Sequence, residues 1–320
     1  MISRADLDRA RAVIRDHVHR TPLLSAASLG AVSGAELYLK CENLQKTGSY
    51  KPRGGLNLMA RLDEDQKRRG LVVMSAGNLA QGVAYPAGRA GVRCWVVMLR
   101  TASVAKIRAT EGYGAEVILH DDPVTWFERV EEVRARHGAL QVDPWGEPAL
   151  VAGYGSIGGE ILEQLPEVET VVVPVGGGTL ISGIAAAIKL HRPAARVIGV
   201  ELQSGRLVHD SVAAGKPLRL ARPSSIADGL GSPTTSELVV DLVGRYVDDL
   251  VAVSEEEIHG AMRGLLERGK LLVEGAGAVG VAALLAGRIG EQGGRKVAVV
   301  LSGGNVDLER LRDVLAQRAE

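Results

Sequence analysis

Four short stretches combine residue types suited to chemistry with the backbone freedom to present them. In Gly48-Ser49-Tyr50-Lys51-Pro52-Arg53-Gly54-Gly55, Pro52 can start a helix and so place Lys51 at its N-terminal edge. A positive helix end and partial burial both lower a lysine's pKa, as an imine-forming amine requires. A solvated lysine is the competing reading on spacing alone. In Val173-Pro174-Val175-Gly176-Gly177-Gly178-Thr179-Leu180 the consecutive glycines let N–H groups turn inward at a helix N-terminus, where partial positive charge holds a phosphate without Lys or Arg. No GK[ST] follows, so this is no Walker A loop; a tight strand-to-helix turn is the plain alternative. Ser75-Ala76-Gly77-Asn78-Leu79-Ala80-Gln81-Gly82 follows the apolar run Leu71–Met74 and offers backbone N–H groups to a carboxylate. Leu301-Ser302-Gly303-Gly304-Asn305 ends another such run, where Ser302 can present its hydroxyl to a ligand and Asn305 can cap the last helix.

A more familiar pattern fails its own test. Gly153-Tyr154-Gly155-Ser156-Ile157-Gly158 satisfies GxGxxG and is read as opening a helix. A dinucleotide fold also needs an acidic residue at the end of the next strand, about 20 positions on. The run Thr170 to Val175 instead ends in Gly176-Gly177-Gly178.

Composition bounds the rest. The chain has 320 residues, enough for about two domains on a soft prior of roughly 150 residues each. Lys plus Arg and Asp plus Glu are both 38, a balance that argues against nucleic-acid or anionic-membrane partners. Glycine is the outlier at 40 residues, against a usual share of about 7%. With 46% hydrophobic and 24% charged residues, this excess serves local backbone geometry rather than disorder. Cys41 and Cys94 lie outside any zinc or disulfide spacing, which fits a reducing, cytoplasmic setting. Met1 to Arg20 is charged and amphipathic rather than an apolar signal sequence. Val171 to Ile188 and Leu271 to Ala286 are apolar, but Pro174 with its glycines breaks the first and Glu274 interrupts the second, so both read as buried core.

Apolar runs alternate with helical stretches along the chain. Leu71–Met74, Cys94–Leu99, Val117–Leu119, Thr170–Val175, Val197–Val200 and Lys296–Leu301 are strand-like. Ser103 to Tyr113, Thr125 to Arg136, Leu180 to Leu190 and Glu255 to Arg268 are helical, and Ser3 with Asp6 forms a capping box before Leu7, Ala10 and Ile14. Continuous apolar strands between helices predict an α/β protein with an open, mostly parallel twisted sheet covered on both faces. The absence of strand pattern over Gln203 to Tyr246 disfavours an evenly spaced barrel.

Taken together and in order, these motifs resemble the pyridoxal-phosphate enzymes of fold type II, specifically the serine/threonine dehydratase and serine racemase group. The likeness runs from Thr21-Pro22-Leu23 to Ser302-Gly303-Gly304-Asn305-Val306-Asp307. It implies a large domain of residues 1–46 and 144–320, an inserted small domain of 47–143, and a site between them. It further implies that Lys51 carries pyridoxal 5'-phosphate as an imine and that Asn78 bonds the ring hydroxyl oxygen. By the same resemblance Gly176, Gly177, Gly178, Thr179 and Leu180 hold the phosphate, Ser302 meets the pyridine nitrogen and Glu274 lies near the ring. Ser75, Ala76, Gly77, Asn78 and Leu79 would hold the substrate carboxylate, with Tyr154 also at the substrate. The activity implied is β-elimination, converting a β-hydroxy amino acid such as L-threonine or L-serine to a 2-oxo acid and ammonia, in a homodimer. A neutral serine beside the pyridine makes a weaker electron sink, which suits loss of a β-substituent.

Several departures from the group's pattern bear on substrate. Leu79 stands where a histidine is common, Tyr154 where glutamine is common, and Tyr50 where phenylalanine is common. Thr179 replaces a fourth glycine and, being β-branched, is expected to begin the helix. Alanine at 76 lacks the hydroxyl of the racemases' second acid/base, which disfavours racemisation. Leu207 stands where metal-binding members carry the partner of a carboxylate at Glu201, so no required metal is expected. The sequence ends near Glu320, too early for the regulatory domain of biosynthetic threonine dehydratases, so allosteric feedback by a branched-chain amino acid is not expected. Related alternatives are a dehydratase of 3-hydroxyaspartate or of a bulkier substrate, a β-replacement enzyme, or an amino-acid racemase.

Overall fold

The computed structural model describes residues 2–316; Met1 and 317–320, with the Glu320 end, lie outside them. The first part of the chain runs α1 (Arg4–Ile14), β1 (Leu23–Ser25), α2 (Ala27–Ser33), β2 (Glu36–Cys41), α3 (Lys51–Met59) and α4 (Glu64–Arg69). Next come β3 (Leu71–Met74), α5 (Asn78–Arg89), β4 (Cys94–Leu99), α6 (Val104–Gly112), β5 (Glu116–His120), α7 (Trp126–His137) and β6 (Leu140–Gln141). Then follow α8 (Pro148–Gln164), β7 (Thr170–Pro174), α9 (Thr179–His191), β8 (Arg196–Leu202), α10 (Leu207–Ala213) and α11 (Glu237–Tyr246). The last elements are β9 (Asp249–Val253), α12 (Glu255–Glu267), α13 (Gly275–Leu285), β10 (Lys296–Leu301) and α14 (Leu308–Ala316).

These strands form two sheets, a 6-stranded one of order β1-β2-β10-β7-β8-β9 and a 4-stranded one of order β5-β4-β3-β6. Every pairing is parallel except β1 with β2. Alternation along β7 shows why the large sheet needs cover on both faces. Val171 and Val173 pack with Ile157, Ile161, Ile181 and Ile184 of α8 and α9, while Val172 turns the other way to Val279 and Ala283 of α13. Parallel pairing also brings the carboxyl ends of the strands together. Leu301 pairs with Cys41, and Val299 with Val172 on the other side of β10. Ser302–Asn305 therefore emerges between the segment after β2 and the glycine loop after β7, the position where open α/β sheets bind ligands.

The GxGxxG stretch lies in the middle of α8 rather than at its start. Its glycines serve helix packing. A Cβ on Gly153 would lie 2.4 Å from the Arg53 carbonyl oxygen, and one on Gly183 of α9 would lie 2.2 Å from the Val151 oxygen. Helices α3, α8 and α9 meet closely only because these positions carry no side chain.

One polar cluster sits inside this packing. The Arg53 guanidinium, fully buried, bonds Glu42 through Nε and Nη2, both at 2.8 Å, and Glu160 through Nη1 at 2.7 Å and Nη2 at 3.0 Å. Lys40 donates to Glu160, to Gln164 and to the Thr21 carbonyl, and Thr21 donates its hydroxyl to Glu42. Burial alone would raise the Glu42 pKa, yet Arg53 and Lys40 hold it below the ordinary value. Two cations and two anions thus cancel inside the core. Glu160→Ala should lower the unfolding free energy by about 3–5 kcal/mol, because it leaves Lys40 and Arg53 short of an anion. Glu163→Ala, which breaks only the solvent-exposed pairs with Arg11 and Arg20, should cost under about 1 kcal/mol in the same urea titration. Equal losses in the two variants would refute the buried cluster's special weight.

Candidate active site

Lys51 owes its position to a strained approach. Thr47 (φ 64) and Gly48 (φ 68) are both left-handed, a costly state for a β-branched threonine. The segment after β10 holds that turn in place. Gly304 N–H donates to the Gly48 oxygen at 2.9 Å, Tyr50 N–H to the Ser302 oxygen at 3.1 Å, and Asn305 Nδ2 to the Thr47 oxygen at 2.8 Å. Lys51 then opens α3 with Pro52 in the first turn, as the sequence predicts. A Cβ on Gly82 would lie 2.3 Å from the Lys51 Cβ, so α5 presses directly against the lysine's stem. The amine lies 4.7 Å from the centroid of the Tyr50 ring and 5.6 Å from that of Tyr154.

Beside Lys51, Asn78 begins α5 and donates through Nδ2 to Glu274 Oε1 at 2.7 Å. Burial pushes the Glu274 carboxyl up to about 7, against the opposing charges of Lys106 and Lys51. Gly303 gives this pair room, since a Cβ there would lie 2.5 Å from Glu274 Oε1 and 3.1 Å from Asn78 Nδ2. Ser302 is buried at the same place. On the other side of Asn78, the turn after β3 leads into α5 with Gly77 at the N-cap and no side-chain cap, while the Gly77 N–H donates to Ser75 Oγ at 3.2 Å.

The glycine loop after β7 is held from behind. Cβ atoms on Gly176, Gly177 and Gly178 would lie 3.0 Å from Leu230 Cα, 2.6 Å from Trp145 Cδ1 and 2.4 Å from Val239 Cγ1. Thr235 donates to the Gly177 oxygen at 2.9 Å, which turns that carbonyl toward the supporting wall. Thr179 begins α9 as expected, after Gly178 at φ 91. Among the described residues no protein acceptor takes the N–H groups of Gly176, Gly177, Thr179 or Leu180. Such a loop at an uncapped helix end fits a phosphate.

Three residues depart from their expected settings. Tyr154 has no exposed surface; its ring packs edge-on against Tyr50 at 4.7 Å, and its hydroxyl is buried without a partner. Its ring lies beside the Lys51 amine, packed into the core rather than facing solvent. Leu79 is 7% exposed and joins the core with Val83 and Leu58, so its side chain does not line the carboxylate loop. Asn305 spends its amide on Thr47 and Asn78 Oδ1 instead of capping α14. At Glu201, both carboxylate oxygens accept N–H groups, from Val208 and His209, and burial raises its pKa to about 7. Leu207 beside it is buried and begins α10.

Sequence reading did not single out the buried charge cluster or the bridge through Asn305. The signal for the first was present in Arg53, two residues beyond Lys51 and on the opposite side of the helix. The cluster's partners are distant in sequence.

A lysine at a helix start, an uncapped glycine loop and strand ends converging between two mostly parallel sheets define a cofactor-dependent α/β enzyme. Residues 14–303 match the model of the family described as pyridoxal-phosphate dependent enzyme. The chain belongs to this family, and its cofactor is pyridoxal phosphate. It is 44% identical over 316 residues to the L-threonine ammonia-lyase of Thermotoga maritima, covering 98% of this chain and 78% of that protein. It is 40% identical to the catabolic L-threonine dehydratase TdcB of Staphylococcus aureus strain N315, over 98% of this chain and 92% of that one. Among solved structures, maize serine racemase superimposes with a TM-score of 0.92 at 35% identity, covering 97% and 96% of the two chains. A threonine deaminase from T.th. does so with a TM-score of 0.90 at 37% identity, covering 96% and 99%.

Unfolded, Glu274 titrates near its ordinary 4.5; folded, it does so at about 7. Its contribution to stability is complete below the unfolded value and is lost as pH rises through the folded one. In cofactor-free protein, Glu274→Gln should therefore lose less stability than the parent between about pH 5 and about pH 8, by urea titration at each pH. An identical loss in both would contradict a neutral, buried Glu274. Removing the unpartnered hydroxyl with Tyr154→Phe should leave the unfolding free energy unchanged or raise it by up to about 1 kcal/mol. A loss beyond about 1 kcal/mol would mean that the hydroxyl is satisfied after all.

Proposed function

We propose that this chain is an ammonia-lyase that converts a β-hydroxy amino acid, L-threonine foremost and L-serine next, to a 2-oxo acid and ammonia. The observation that carries this reading is the backbone clamp between Thr47–Tyr50 and Ser302–Asn305, which sets Lys51 beside Asn78 and Ser302. The threonine ammonia-lyase and dehydratase names of its relatives support the substrate class.

When bound, pyridoxal phosphate withdraws electrons from the α-carbon of an attached amino acid. Lys51 would hold the cofactor through its amine and, when that amine is free, would take the α-proton at Nζ, for which its tether at the start of α3 is suited. Asn78 Nδ2 is assigned to the ring hydroxyl oxygen and Glu274 to the space beside it. N–H groups of Gly176 to Leu180 receive the phosphate. Ser302 meets the pyridine nitrogen as a neutral partner. The turn from Ser75 to Leu79 receives the substrate carboxylate through its backbone. The β-hydroxyl would leave as water with the proton that Lys51 Nζ has taken, and hydrolysis by one water would then release ammonia, so the net change is amino acid to 2-oxo acid plus ammonia. Ala76 offers no proton to the opposite face, which favours elimination over racemisation.

Residues 47–143 act as an inserted small domain in this reading, supported by the four-stranded sheet that lies within them. Assembly as a homodimer in the cytoplasm completes the proposal. Cys41 and Cys94, both free and buried, accord with a reducing compartment, and no helix among the described residues is long and apolar enough to cross a membrane. No added metal is required, because the Glu201 carboxylate is taken up by the start of α10.

Purified protein should show an imine absorbance that borohydride reduces and that Lys51→Ala lacks. Threonine and serine should yield 2-oxo acid, with 3-hydroxyaspartate slower, at rates that exhaustive chelation leaves unchanged. An imine surviving in Lys51→Ala would defeat the assignment. Thiol adducts in place of 2-oxo acid would shift the reading to β-replacement.

A further inference from the structure

Three loops converge on the side chain of Asn78, and its amide is engaged at both ends. Nδ2 donates to Glu274 Oε1 at 2.7 Å, and Oδ1 accepts from Asn305 Nδ2 at 2.8 Å. The same Asn305 nitrogen donates to the Thr47 oxygen at 2.8 Å, so both its protons are committed. An amide flanked by a donor on one side and a carboxylate on the other has one satisfied orientation. Turning it over would set Oδ1 against Glu274 and Nδ2 against the Asn305 NH2, losing both bonds. The surroundings are shaped around this bridge. A Cβ on Gly48 would lie 2.4 Å from Asn305 Oδ1, and two residues beyond Asn305 the Asp307 carboxylate is held by Ser103 Oγ at 2.6 Å.

We propose that Asn305 is a positioning residue that fixes the orientation of the Asn78 amide and so presents Nδ2, not Oδ1, to the ring hydroxyl oxygen of pyridoxal phosphate. This rests on the role assigned to Asn78 above. Asn78 keeps a second Nδ2 proton for the cofactor after serving Glu274. A reversed amide would offer a carbonyl oxygen to another oxygen, weakening cofactor binding and changing the electronic surroundings of the ring. Asn305 acts only through Asn78 and the turn at Thr47.

The test reverses the polarity of the chain of hydrogen bonds. In the double variant Asn305→Asp with Glu274→Gln, an acceptor replaces the donor and a donor becomes available opposite it, so Asn78 turns over and retains both bonds. Each protein is reconstituted with pyridoxal phosphate, and the readouts are the absorption band of the cofactor at Lys51, its dissociation constant and the thermal midpoint. The double variant should be more thermally stable than Asn305→Asp alone. It should nevertheless show a displaced band and cofactor affinity weakened about tenfold, the equivalent of one hydrogen bond. Asn78→Ala should displace the band similarly. Should the double variant not fold, Asn305→Leu, nearly isosteric and without polar atoms, leaves Asn78 held by Glu274 alone and should show a smaller displacement in the same direction. Parent-like band and affinity in the folded Asn305 variants, with Asn78→Ala displaced, would overturn the proposal and leave the Asn78 assignment standing. A parent-like Asn78→Ala would overturn both.

Discussion

The buried quartet of Lys40, Glu42, Arg53 and Glu160 is the constraint on which the site's geometry depends. Each residue comes from a different part of the chain: β2, the turn after it, α3 and α8. Taking four charges out of water is expensive, and the arrangement is tolerable only when every donor finds its acceptor. The planar fork of Arg53 makes that requirement directional, because it binds two carboxylates in fixed relative positions. Arg53 and Lys51 are two residues apart on one helix, so their side chains diverge by about 200° around its axis. Gripping the guanidinium at the back therefore sets the rotation of α3 and aims Lys51 at the front. An apolar cluster could fill the same volume, but it would not specify that rotation as sharply.

Glycine completes the same task by distance rather than by charge. Gly82 brings α5 onto the stem of Lys51, and Gly153 lets α8 approach the backbone of Arg53 and Gly54. The lysine is thus held between two helices close enough to leave little room for lateral movement. The glycine excess in the composition has two physical origins here. Part of it, at Gly48 and Gly178, permits left-handed turns before Lys51 and before α9. Another part supports close helix contacts remote from any ligand. The GxGxxG stretch belongs to that second part, which is why it looks like a nucleotide motif and lacks the strand-to-helix turn such a motif needs.

How much was legible follows from whether a local pattern carries the cause. The interior strands Cys94–Leu99 and Lys296–Leu301 are read correctly to the residue, because a strand buried on both faces is a continuous apolar run. Strand β2 escapes that rule: Glu36 and Lys40 interrupt its apolar residues, and Lys40 is nevertheless fully buried, neutralised by Glu160 from 120 residues away. Strand β9, half-exposed at the sheet edge, shows only a weak run. In the site, backbone motifs are legible and side-chain directions are not. The start of α3 at Lys51 and of α9 at Thr179 follow from Pro52 and Gly178 beside them. Whether Tyr154 faces a ligand or the core depends on Gly54 and Tyr50, which come from α3 and its approach rather than from α8. Asn305 looks like a helix cap because its partners Thr47 and Asn78 lie 258 and 227 residues away.

An electrically neutral chain can hold an anionic cofactor here because the attraction is local. The glycine loop places several unpaired N–H groups and a helix end around the proposed phosphate site, so it needs no surplus of cations. Adding arginines would bring long, flexible charges whose own desolvation must be offset, whereas backbone dipoles are already fixed by β7 and α9. In the proposed site the same economy extends to Ser302 and Asn78, the neutral groups assigned to the ring. Glu274, an ionisable group beside them, is pushed by burial toward the neutral form near pH 7, against the opposing charge of Lys106. In the proposed mechanism the electrostatic change of the reaction falls on Lys51, the one amine that would bind, let go and carry a proton.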